Sequence, residues 1–121
     1  MEELDYMTEY ETFMNNFNRT EVSGAEVGEV VVKMAGYFAR YNVRKGETIR
    51  RFSAKKSEFQ NSPDPATGKA ISASKANTLA DSTEEAGAFE MARIHVDNIE
   101  QYINALKSLQ KGVLIEYNNA G

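Results

Sequence analysis

The sequence predicts an all-α protein: an antiparallel helical hairpin of two long helices, coiled-coil-like, with a short N-terminal helix, and oligomeric. Three observations predict it. Residues 82–112 carry a three-four apolar spacing through Phe89, Ala92, Val96, Ile99, Ile103 and Leu106. Residues 25–60 carry a second, through Val27, Val31, Met34, Phe38, Tyr41, Phe52 and Phe59. Both prolines fall between these stretches, and nothing alternates with a strand period for more than a few residues.

Each element has its own grammar. Residues 2–18 form the short helix, with Tyr6, Tyr10, Phe13 and Phe17 along one stripe and Leu4, Met7 and Met14 beside it; its five carboxylates meet no base. Such a helix caps or clasps a bundle, or docks on another protein. Ser23 and Glu26 make a capping box at the start of the second helix, with Val22 and Val27 as its hydrophobic staple. Lys45, Thr48 and Lys55 stand where that seam calls for apolar residues, and Gly46 costs about 1 kcal/mol relative to Ala in a helix interior. A continuous or bent helix is expected to residue 60, with a kink or break at 42–46 as the alternative.

The stretch NSPDPATGK, residues 61–69, is a chain-reversing loop, and 71–80 is a shorter helical piece. Ser82 with Glu85 reads as the capping box of the last helix. Lys107 and Lys111 favour its last turn, and Gly112 reads as its stop. Only Gln110 interrupts the apolar register. Residues 113–117 dock as an extension or an extended arm, and 118–121 form a mobile tail. The 121 residues suit one domain. Two long amphipathic helices alone leave one side of their seam bare, so Val31, Met34, Phe38, Phe89, Val96, Ile99, Ile103 and Leu106 are expected to line an oligomer seam.

Composition narrows the function. With no cysteine there is no disulfide or thiolate metal site, and with one histidine, His95, neither a Cys/His metal site nor a Ser/His/Asp triad can be assembled in one chain. Gly24, Gly28 and Gly68-Lys69 match no phosphate loop. Glu84 and Glu85 sit in a first helical turn, where the helix dipole accounts for them. The expectation is a non-enzymatic protein without metal or cofactor. No apolar run approaches the ~20 residues that cross a bilayer, and the acidic N-terminal residues are unlike a secretory signal.

The informative feature is charge segregation. The chain carries a net charge of −4, yet from Lys33 to Lys56 it has eight Lys or Arg against one acid, Glu47. At 100° per residue Lys33, Arg40, Arg44, Arg51 and Lys55 fall within an arc of about 60°, edged by Tyr37 and Tyr41, with Arg50 and Lys56 adjoining. One reading is a nucleic-acid surface, bases pairing with phosphates and rings stacking on exposed nucleobases. The other is a solvated face, or a row that meets the acidic first helix or the carboxylates Glu90, Asp97 and Glu100 of another chain.

At Leu79-Ala80-Asp81, followed by the long helix with Ala105-Leu106-Lys107-Ser108-Leu109, the sequence resembles the C-terminal half of bacteriophage recombination mediators of the UvsY type. The resemblance covers about the last two-thirds of the chain. It implies a small, ring-forming helical accessory protein that binds single-stranded DNA and helps load a recombinase onto DNA covered by single-strand-binding protein. It also implies the cytoplasm of a bacterial host. A phage structural or adaptor protein, or an inhibitor of a host defence protein, remains the alternative.

Overall fold

A computed structural model describes residues 5–17 and 21–120, with side chains as far as Leu114. The fold is all-α, with four helices: α1 (Asp5–Phe17), α2 (Gly24–Gln60), α3 (Ala73–Asp81) and α4 (Glu84–Ala120). The two longest, α2 and α4, make the most contacts between helices. The chain divides into two compact units, Met1–Arg40 with His95–Gly121, and Tyr41–Ile94.

The first unit is built on the heptad positions. Val27 and Met34 of α2 are buried together with Val96, Ile99 and Leu106 of α4, each worth about 1.5–3 kcal/mol on full burial. α1 contributes Tyr6, also wholly buried. Ser23 caps α2: its Oγ accepts from the Glu26 amide at 3.2 Å and its hydroxyl donates to the Glu26 carboxylate at 3.4 Å. Gln110, the polar interruption in the seam, donates from Nε2 to the Gly24 carbonyl at 2.9 Å. Gly28 leaves room for that bond, since a Cβ there would stand 2.9 Å from the same nitrogen.

The second unit closes around small residues and rings. Ala76 and Ala80, one turn apart on α3, are buried with Tyr41 of α2 and Ala92 of α4, while Phe52 stacks on Phe89 with centroids 5.9 Å apart. Asp64 organises the loop before α3. Its Oδ1 accepts from the Ala66 amide at 2.8 Å and from the Lys75 ammonium at 2.7 Å, which holds its carboxyl below the usual carboxylate range. Its backbone exchanges bonds of 2.7 Å with Lys69 and Gly68, and the turn needs the positive φ of 69° that Gly68 adopts.

α2 runs unbroken through Gly46 to Gln60, as expected. Several other boundaries differ from expectation. The cap of α4 is Thr83, whose Oγ1 accepts from the Ala86 amide at 3.3 Å; Ser82 instead turns its hydroxyl back to the Leu79 carbonyl at 2.8 Å, closing α3. Gly112 does not stop α4, because it lacks the left-handed conformation that a glycine stop requires. The helix continues to Ala120. Of the short helix expected over 2–18, residues 2–4 and 18 lie outside the described residues.

Four of the eight residues expected in an oligomer seam are interior. Met34, Ile99 and Leu106 are 0 % exposed within a single chain and Val96 4 %, so another copy has nothing to cover there. Val31, Phe38, Phe89 and Ile103 are half-buried. In the first unit α1 occupies part of the side that two helices alone would leave bare.

Candidate nucleic-acid interface

Charge divides with the units. Residues 41–94 hold nine Lys and Arg against seven Asp and Glu, and the rest of the chain holds five against eleven. The acidic chain thus contains a mildly basic unit, whose cations come mainly from α2.

In that unit the cations are held in different ways. The Arg44 guanidinium lies 4.9 Å from the centre of the Tyr41 ring, and the Lys56 ammonium 4.7 Å from that of Phe52. Arg50 and Arg51 are exposed. Lys55 pairs with Glu58 at 3.2 Å, and that hydrogen bond, with the charges of Glu58 and Glu85 behind it, holds the ammonium pKa above its ordinary value. Arg51 lines a hollow of about 180 Å³ with Thr48, Glu84, Glu85 and Ala88, so part of the basic row already faces carboxylates of its own chain.

Tyr41 corrects an expectation. It is 2 % exposed, a core ring that supports Arg44, and it offers no face on which a nucleobase could stack. A seam position and a row-edge position coincide on the helix wheel there, and packing takes the ring.

In the first unit Lys33 and Arg40 are exposed, and the Arg40 guanidinium lies 4.8 Å from the centre of the Tyr37 ring. Tyr37 is half-buried, and its hydroxyl donates to Glu9 Oε1 of α1 at 3.0 Å. Burial, that hydrogen bond and the charges of Glu9 and Asp5 all push its pKa up. Lys33 lines a groove of about 330 Å³ with Thr8, Glu9, Thr12, Phe13 and Val30. The acidic first helix therefore stands against one end of the row, one of the arrangements its composition suggests.

Sequence reasoning missed the aromatic cluster that seats α1. The buried Tyr6 hydroxyl and His95 Nδ1 are 2.6 Å apart, and the two rings meet edge to face at 5.6 Å. Tyr6 also packs tilted against Tyr37 and Tyr102, and Tyr10 stacks on Tyr102 at 4.0 Å with the planes 6° apart. Asn98 hydrogen-bonds the Tyr6 oxygen, while burial raises the pKa of Tyr6 and of Tyr102. The periodic stripe of α1 and the one histidine were the available signals; which long helix faces that stripe is not written in either.

Among the described residues no three His, Asp or Glu side chains gather to hold a metal ion, and no helix is long and apolar enough to cross a membrane. Comparison with protein-family models, with curated protein sequences and with solved structures returns no match.

Proposed function

We propose that this chain is a non-enzymatic accessory protein that binds single-stranded DNA by its phosphates, in the manner of a recombination mediator. The observation that carries the reading is the arrangement of cations on the 41–60 part of α2. Arg50 and Arg51 are open to solvent, and Arg44 and Lys56 rest on rings of the same helix. Cations already seated on rings lose less side-chain freedom when a phosphate arrives. With Tyr41 buried, recognition rests on charge more than on stacking, and binding is independent of base sequence.

The two long helices are read as an antiparallel, coiled-coil-like hairpin. Copies associate through exposed side chains such as Val43, Ile49, Met91 and Ile94 rather than through the buried Met34, Val96, Ile99 and Leu106. Those same side chains favour the second reading, an adaptor that binds protein. A recombinase or a single-strand-binding protein is the partner class that the first reading calls for.

Oligothymidine affinity measured against salt separates the two. Each phosphate contact contributes a slope of about 0.7 log units per log of salt, so replacing Arg50 and Arg51 by Ala flattens the slope by about 1.4 and weakens all sequences alike. Binding that is undetectable at low salt, or a slope unchanged in the double variant, rejects the DNA reading in favour of the protein adaptor.

A further inference from the structure

α1 is a short helix with one deep anchor. Its 13 residues are near the length at which an isolated helix is marginal in water, and Tyr6 is its one fully buried residue. Its polar contact with α2 is a compromise. Glu9 Oε1 takes the Tyr37 hydroxyl, but Oε2 is buried with no hydrogen-bond partner, an unfavourable arrangement because a buried polar atom has given up its water. The groove beside it contains Lys33, and Arg40 lies over the ring that Glu9 engages. Asp5 acts electrostatically on the same hydroxyl.

We propose that α1 is a displaceable acidic clasp: its carboxylates Asp5 and Glu9 occupy the ground beside Lys33, Tyr37 and Arg40 that a phosphate chain would take, and single-stranded DNA gains those residues by releasing α1. This rests on the reading of α2 as a DNA-binding helix. Release frees the Tyr37 ring from Tyr6 and its hydroxyl from Glu9, leaving Arg40 over the ring, so the stacking surface open to a nucleobase there is larger in the open form. The docked clasp also accounts for an acidic helix packed beside basic residues in a chain that pays for the contact with an orphaned carboxylate oxygen.

The native chain has no cysteine, so a reversible lock can be built. Tyr10→Cys with Tyr102→Cys, at the stacked pair, is joined by a short thiol-cleavable crosslinker, and oligothymidine binding is compared before and after cleavage. Lys33 and Arg40 together correspond to a salt slope of about 1.4, or about tenfold in affinity at low salt. The cleaved protein should bind about tenfold more tightly than the locked one, and oligothymidine should speed amide exchange across 5–17 in the native chain. Tyr6→Ala, which removes the anchor without a crosslink, should bind more tightly than the native chain.

Locked and cleaved forms that bind alike, through Arg50 and Arg51, overturn the clasp and leave the DNA reading standing. If neither the native chain nor Tyr6→Ala binds, both fall.

Discussion

Gly36 and Gly46 lie inside α2, and neither has an atom within 4 Å of the place a Cβ would occupy. Neither has a positive φ. Alanine at each therefore meets no clash and removes only the entropic penalty of glycine in a helix, about 1 kcal/mol per site. The sites belong to different units and share no partner, so the gains add to about 2 kcal/mol. At roughly 2.1 cal/mol/K per residue, a chain of 121 residues has an unfolding entropy of about 0.25 kcal/mol/K, and Tm should rise by about 8 °C in the double variant. Thermal circular dichroism at fixed protein concentration measures it. Gly68→Ala is the opposite control, because its φ of 69° strains any side chain, and it should lower Tm. A gain at Gly36 with none, or a loss, at Gly46 would refute the reasoning: α2 would then bend at Gly46 in solution and the row would be divided there.

Leu106→Ala leaves a cavity at a wholly buried position and should cost about 2–5 kcal/mol, with a loss in urea that does not depend on protein concentration; a loss that grows on dilution would restore Leu106 to an intermolecular seam. Raised phenol pKa values at Tyr6, Tyr37 and Tyr102 imply alkaline sensitivity of the first unit. Their stabilising effect is complete below the unfolded value of about 10 and is lost as pH rises through the higher folded values, so Tm should fall above about pH 10 while phenolate absorbance lags that of the unfolded chain. The triple Tyr→Phe variant at those positions should lose most of that dependence, and an unchanged profile would mean that other groups set it.

Much of the fold is legible because it depends on spacing. The apolar register put Val27, Met34, Val96, Ile99 and Leu106 on inward faces, and the structure buries all five. The Ser23 box forms because both partners lie within one turn, where sequence distance is spatial distance. At Ser82 the same pattern misleads: two hydroxyls stand side by side and both donate back to carbonyls at the end of α3, but Thr83 Oγ1 also accepts from the Ala86 amide and so becomes the cap. Gly112 misleads because a glycine stops a helix only where the chain turns left-handed, which tertiary context decides.

The candidate site is less legible, and Tyr37 and Tyr41 show why. Both edge the basic row on a helix wheel, four residues apart. One lies buried beneath an arginine, and the other is half-buried and bound to Glu9 of α1, 28 residues earlier in sequence. A wheel gives the direction of a side chain but not what stands in that direction. The same gap put Met34, Val96, Ile99 and Leu106, expected in an intermolecular seam, inside a single chain. Phosphate recognition needs cations that stay open after such packing, and Arg50 and Arg51 meet that condition in the second unit. In the first, Lys33, Tyr37 and Arg40 share their ground with an acidic helix, so affinity there is a difference between two anions: a row that loses little when Lys33 and Arg40 are replaced, yet gains when α1 is freed, is the signature of competition rather than of an idle charged face.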